Sequence, residues 1–299
     1  MPVIFDSRFG RRDFLKLSSL AGAALVLNAG RSVSAAQTSG QPEFHLALLS
    51  DTHVPGDRLN GHRGFNPWEN LRTVAPQVVA ARPEGVILCG DAARLDGQVA
   101  DYEELKALLE PVAAVAPVYI ALGNHDDRAN FRKVFTAHPG TLADAGGKHI
   151  TVVEHPAVRL IVLDSLMYVN QTPGLLGRAQ RTWLTTELPK LADRPAVLFV
   201  HHTLGDGDGE LLDAERLFTV VAPHPHVKAL FFGHSHVWAT FRRDRLHLIN
   251  LPAVGYNFSD QQPVGWVDAR FRPDGVALTL RAFAGNRNGD GQTAFFAWA

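Results

Sequence analysis

Asp51-Thr52-His53, Gly90-Asp91, Gly123-Asn124-His125-Asp126, His201-His202 and Gly233-His234-Ser235-His236 gather carboxylate, amide and imidazole groups into five short clusters. Hard oxygen donors mixed with neutral imidazoles suit Mn, Fe, Zn or Co. The single cysteine, Cys89, offers no thiolate-rich alternative, and inside its apolar run it reads as a small core residue. A lone Asp-x-His or His-x-His pair is a weak signal, since most such pairs are polar turns. Here two of them bracket Asp, Asn and His clusters, and six of the 14 histidines fall inside the five motifs. Two divalent ions about 3.5–4 Å apart polarise a phosphoryl oxygen and generate hydroxide from bound water near neutral pH.

Each cluster follows an apolar run that reads as a buried strand: 45–50, 85–89, 118–122, 196–200 and 229–232. The clusters therefore belong to strand-end loops, where α/β sheets place functional groups. In an extended strand end, residues two apart share a face, so Asp51 and His53 can grip one ion together, and His234 and His236 have the same spacing. Between the strands, periodicity and proline stops predict helices over 68–81, 100–109 (ending before Pro111), 127–135, 178–191 and 211–221. Residues 54–67 read as a long loop. The runs 149–153 and 158–163 flank Pro156 as an antiparallel hairpin, and strands over 238–243, 246–251, 264–271 and 276–283 close the chain. Strand–helix alternation followed by a strand-rich end predicts two packed sheets flanked by helices. No linker-like stretch divides residues 37–299, which read as one domain.

With 46% hydrophobic residues, a chain of 299 can bury a full core. The formal net charge is −1 and no basic block is present, so composition does not point to a nucleic-acid partner. Residues 1–36 read as an address. Gly10-Arg11-Arg12-Asp13-Phe14-Leu15-Lys16 resembles the twin-arginine export signal, followed by an apolar stretch over 17–29 and the small-residue cleavage candidate Ser34-Ala35-Ala36. That stretch is shorter than the ~20 residues of an ordinary membrane span. The expected partner is the twin-arginine export machinery, and the expected location is the bacterial periplasm or the medium.

The order of the five motifs resembles that of the calcineurin-like metallophosphoesterase family, over roughly residues 44 to 250. The stretch from Gly123 to Phe131 is similar to bacterial class III cyclic-nucleotide phosphodiesterases and the related glycerophosphodiesterases. The resemblance implies a four-layer α/β/β/α sandwich with two mixed β-sheets and a centre of two divalent or mixed-valence metal ions. By motif position, Asp51, His53 and His236 would hold the first ion, Asn124, His201 and His234 the second, and Asp91 both. His125 would sit beside the ions, stabilising phosphoryl oxygens or protonating the leaving alcohol, with Asp126 orienting its ring. The implied activity is hydrolysis of a small phosphoester, foremost a phosphodiester. A broad phosphomonoesterase and a non-catalytic metal-binding protein on the same fold are the alternatives.

Some neighbours depart from the family pattern or stay open. Thr203 follows the His pair where Pro is usual, and His202 reads as a pocket residue. Ala92 and Ala93 follow Asp91 with no nearby tyrosine, against a purple-acid-type centre. His125 disfavours a lipid-A-pathway pyrophosphatase. Arg94 is open between a phosphate contact and a surface salt bridge. Asp206 to Glu210 lacks the spacing of a calcium loop and reads as an acidic turn. Tyr256, Asn257 and Phe258, after the last metal motif, read as packing and turn residues, with pocket lining as the alternative.

Overall fold

A computed structural model describes residues 40–143 and 145–299. The expected export segment, residues 1–36, lies outside the described residues.

Parallel strands β1 (Phe44–Leu49), β2 (Gly85–Cys89) and β3 (Val118–Ala121) form one half of a sheet. Its other half is antiparallel, built from β11 (Pro263–Arg272), β12 (Gly275–Gly285) and β13 (Thr293–Ala297), and the order is β13-β12-β11-β1-β2-β3. The second sheet contains β4 (Thr141–Ala143), β5 (Ile150–His155), β6 (Val158–Val162), β7 (Ala196–Phe199), β8 (Val227–Phe232), β9 (Ala239–Arg243) and β10 (Leu246–Asn250). Its order is β4-β5-β6-β7-β8-β10-β9, with β6, β7, β8 and β10 parallel.

Alternation along the strands creates three cores. In β1, Phe44, Leu46 and Leu48 face the other sheet and meet a cluster with Leu160, Phe199 and Phe231. Ala47 and Leu49 face outward, where they pack with Leu71, Val78 and Leu105 of the covering helices. A third cluster covers the outer face of the second sheet, including Leu198, Leu230, Leu184 and Leu217. The helices on the first sheet are α1 (Pro67–Ala81), α2 (Val99–Ala113) and α3 (Arg128–Val134). Those on the second are α4 (Gly177–Glu187), continued by a 3₁₀ turn over Leu188–Leu191, and α5 (Ala214–Val221). The architecture is α/β/β/α, as the resemblance implied.

The helix bounds follow local chemistry. Asn66 caps α1 by accepting from the Glu69 amide, and Pro67 begins it. The helix α2 runs through Pro111 to Ala113 instead of stopping at Leu109. Proline in the last turn removes only the bond to the Ala107 carbonyl, and that residue is exposed to water. Asp127 caps α3 through the Asn130 amide. The helix expected from Leu211 begins only at Ala214, because the Leu211 and Leu212 amides donate to Thr203 and Gly174 carbonyls. Strands β4 and β13 had no counterpart in the sequence pattern. Their periodicity is slight, and pairing with β5 and β12 makes them strands.

Candidate metal centre

Asp51, Asp91, His201 and His234 each lie two residues beyond the last residue of β1, β2, β7 and β8, and Asn124 lies three beyond β3. Parallel pairing within each sheet brings these ends to one side, and packing of the sheets brings the two sides together. The loops are then laced by backbone bonds. Asp51 and His53 amides donate to Gly90 and Asp91 carbonyls, and the Gly233 amide donates to the His201 carbonyl.

Asp51 and His53 share one ligand group, whereas His234 and His236 fall into different ones, and the backbone at all four is other than the expected extended one. All four residues have positive φ (52°, 45°, 70° and 55°), as does Asp91 at 47°. Each strand thus breaks into a left-handed turn that swings alternate side chains toward one point. Such non-glycine conformations are uncommon and persist where surrounding structure enforces them, characteristically at functional sites. The motif glycines supply clearance. A Cβ on Gly90 would lie 2.5 Å from the His201 ring, one on Gly123 would collide with the Asp91 carboxylate, and one on Gly233 with Ser50 and Asp51.

Three trios have ligand spacing among the described residues: Asp51–His53–His236, Asp91–His201–His234 and, joining these two, His53–Asp91–His125. His236 Nε2 lies 3.3 Å from Asp51 Oδ1, and His53 Nε2 lies 3.1 Å from His236 Nε2. Asp91 Oδ2 stands 3.3 Å from His201 Nε2 and 3.8 Å from His53 Nε2, so this carboxylate faces histidines of both the His201–His234 and the Asp51–His236 groups. Asn124 Oδ1 is 3.0 Å from His234 Nδ1. The seven expected ligands therefore converge.

Backbone carbonyls set the ring orientations. His201 Nδ1 and His236 Nδ1 face the carbonyls of Cys89 (2.8 Å) and Tyr256 (2.6 Å), while His234 uses Nε2 on the Gly209 carbonyl at 2.9 Å. A carbonyl only accepts, so the facing nitrogen carries the proton and the other presents a lone pair to the centre. His201 and His236 therefore offer Nε2, and His234 offers Nδ1. None of these supports was visible in the sequence, because every residue carries the same carbonyl.

The donor set fits divalent metal. Asp51 and Asp91 are buried, and among the described residues no lysine or arginine pairs with either. His201 Nε2 is buried without a hydrogen-bond partner. Burial opposes charge on both carboxyls, but neighbouring imidazoles outweigh it. Asp51 is held at about 2, chiefly by His236 and His201, and Asp91 lies well below the usual range. Burial keeps His53 and His234 neutral, the latter lowered to about 4. For His201 burial again disfavours the cation, yet Asp91 and Asp51 together raise it to about 9. Bound metal would take that proton's place between the carboxylates.

His125 is half-buried beside this centre. Its amide donates to Asp91 Oδ1 at 2.8 Å and its Nδ1 faces the Leu95 carbonyl at 2.6 Å, which leaves Nε2 for other partners. The ring also lies within ligand spacing of His53 and Asp91, so geometry alone leaves room for a ligand role. The ring-orienting part expected of Asp126 belongs to the Leu95 carbonyl. Asp126 is fully buried and accepts from the Gly123, Ala92 and Ala93 amides and the Tyr102 hydroxyl. It ties the loop after β3 to the loop after β2, because Gly123 belongs to the first and Ala92 and Ala93 to the second.

The remaining candidates separate clearly. His202 is buried, with Nδ1 at 2.7 Å from Ser165 Oγ. Arg94 makes no ion pair among the described residues, and its Nε is buried without a partner. The carboxylates of Asp206, Asp208 and Glu210 form no group with ligand spacing among the described residues. Tyr256 is buried against His53 and His236, at 4.8 and 4.6 Å between ring centroids.

The calcineurin-like phosphoesterase family profile matches residues 44–238. A probable cyclic nucleotide phosphodiesterase of Rhodopseudomonas palustris is 32% identical over 261 residues, 80% of this chain and 92% of that protein. One from Rhodococcus erythropolis is 33% identical over 210 residues, 67% of each chain. A glycerophosphodiester phosphodiesterase of Enterobacter lignolyticus is 26% identical over 73% of this chain and 81% of its own. Among solved structures, a dimetal phosphatase from Danio rerio superposes with a TM-score of 0.69 at 15% identity, covering 86% of this chain and all of that one. At that identity the likeness establishes the fold.

Proposed function

Because the chain belongs to the calcineurin-like phosphoesterase family, a family of phosphoester hydrolases, we propose that it is a dinuclear metal-dependent phosphodiesterase. The observation that carries this reading is Asp91, which belongs to the trio with His201 and His234 and also stands 3.8 Å from His53 of the trio with Asp51 and His236. Asp51, His53 and His236 would hold one ion, and His201, His234 and Asn124 the other. Two such ions supply charge stabilisation for the phosphoryl oxygens and a water acidic enough to react near neutral pH. The chain's own residues do the rest. Asp91 positions His125 through its backbone amide, Leu95 holds the proton-bearing Nδ1, and Nε2, which carries a proton only in the imidazolium form of the ring, would in that form protonate the departing alcohol. The names of the Rhodopseudomonas and Enterobacter relatives support a diester over a monoester.

Hydrolysis of bis(p-nitrophenyl) phosphate tests the reading. Activity is expected to vanish on chelation and to return with Mn or Zn, with turnover of the mono-ester p-nitrophenyl phosphate at least tenfold lower. Absence of chelator-sensitive turnover after metal reconstitution would instead support a metal-binding protein without catalysis.

Export by the twin-arginine route is the companion proposal, resting on Arg11-Arg12 and the apolar stretch behind it. That route carries folded proteins, and a centre assembled from residues 51 to 236 exists only once the fold does. Arg11→Lys with Arg12→Lys is expected to trap metal-loaded enzyme in the cytoplasm. Unchanged appearance of the mature chain outside the inner membrane, read by cell fractionation, rules it out.

A further inference from the structure

Two arginines beside the metal centre lack a carboxylate partner. Arg58, in the loop after β1, is paired with Glu104, whereas Arg63 of the same loop and Arg94 make no ion pair among the described residues. The Arg94 Nε is buried without a hydrogen-bond partner, a costly state for a guanidinium. Its backbone is anchored at the centre, because the Arg94 amide donates to the carbonyl of Val54, the residue after His53. The Asp101 carboxylate lies within reach of the Arg94 charge. Both of its oxygens are already committed, Oδ1 to the Gly56 amide and Oδ2 to the Gln98 amide.

The loop after β1 carries the other basic groups. His62 and Phe65 exchange backbone hydrogen bonds across a two-residue turn in which Arg63 and Gly64 have φ of 52° and 83°. Such a turn favours Asn, Asp or Gly in its first place, so arginine there is costly. The turn docks Arg63 against the segment after β10. Its Nε donates to the Asn257 carbonyl and Nη2 to the Phe258 carbonyl, and the guanidinium lies 5.5 Å over the Phe258 ring, which stacks on the His236 imidazole at 4.4 Å. The His62 ring packs edge-on against Tyr256 at 4.6 Å, and Tyr256 packs against His53 and His236. Burial, then the charges of Arg94 and Arg63, hold the His62 imidazole below its usual range. Burial raises the Tyr256 hydroxyl, and the foremost charge opposing that rise is again Arg94.

Two guanidiniums thus converge on the His62–Tyr256 pair with no acidic partner among the described residues. They stand one side chain outside the ligands: His62 reaches His53 and His236 through Tyr256, and Arg63 reaches His236 through Phe258. The oxygens of a reacting phosphoryl group would be held on the ions themselves. Cations one layer further out are placed for a different acidic group on the same molecule.

We propose that Arg94, with Arg63 and His62 beside it, forms an anion subsite, so that the substrate is a phosphodiester whose ester substituent carries an acidic group of its own, a carboxylate or a phosphate. This rests on the phosphodiesterase reading and deepens it. The planar fork of a guanidinium matches either oxyanion, and an acidic substituent would relieve the unpaired charge that the fold maintains there.

The test uses the metal-loaded protein and p-nitrophenyl phosphodiesters whose second alcohol is ethanol, glycolate or ethylene glycol monophosphate. Wild type is expected to favour at least one acidic ester over the ethyl ester by about tenfold in kcat/KM, through KM, as a charge-assisted hydrogen bond would give. Which acidic ester gains tells a carboxylate from a phosphate. Arg94→Gln is expected to erase the preference and Arg94→Lys, which keeps the charge, to retain part of it. Metal content is followed so that every rate refers to loaded protein. Equal kcat/KM for all three esters in wild type overturns the subsite, and so does a preference undiminished in Arg94→Gln. If wild type turns over none of the esters, the phosphodiesterase reading is what has failed. Calorimetric binding of the phosphate monoesters of the same three alcohols then still reads the subsite: about tenfold tighter binding of an acidic one, lost in Arg94→Gln, supports it, and equal affinities overturn it.

Discussion

Asp91→Ala is expected to leave at most one tightly bound metal and to reduce diester turnover by more than about 10³-fold, since loss of a single preorganised electrostatic contact already costs about 10²–10³. The reason lies in its two oxygens. Oδ2 faces both His201 and His53, where it would hold the two ions together, and Oδ1 accepts the His125 amide. Alanine removes a shared negative charge that would screen two cations from each other, so the second ion is lost with the bridge. Asp91→Asn separates the two parts. It keeps an oxygen for the His125 amide and loses the charge, so its metal content should fall while the loop stays folded. Elemental analysis decides the matter: two tightly held metals in the alanine variant would sink the bridging assignment.

His125→Ala should keep both metals and lose about 10²–10⁴ of turnover, the usual contribution of a general acid or base. Its Nδ1 is committed to the Leu95 carbonyl, so Nε2 is the nitrogen available to a substrate. Proton donation matters most when the leaving alcohol is poor. The loss should therefore shrink along a series of diesters with increasingly acidic leaving groups. Metal content that falls in parallel with activity would make His125 a ligand, in keeping with its spacing from His53 and Asp91.

Much of this molecule was legible beforehand. Apolar runs marked the five strands that carry the motifs, and the pattern of β1, with Leu46 and Leu48 on one face and Ala47 and Leu49 on the other, is an outcome of side-chain alternation. Helix ends were less so. Pro111 looked like a stop, but a proline in a last, solvent-facing turn leaves only one carbonyl to water. Strands β4 and β13 were invisible because their short runs acquire strand geometry only from a neighbour to pair with.

For the centre, the chain by itself determined which donors exist, in what order, and at which strand ends, because donor chemistry belongs to residue type and strand ends to hydrophobic pattern. Tertiary structure decided how those donors meet. Residues 51 and 236 become neighbours only when two sheets pack face to face, and the left-handed backbone of Asp51, His53, His234 and His236 is imposed by loops laced across them. The same packing chose the carbonyls of Cys89, Gly209 and Tyr256 as the supports of three imidazoles, and turned Asp126 into a clamp on backbone amides. Carbonyls and amides are common to all residues, so no residue type announces which of them will hold a ring in place; only the folded path of the chain selects them.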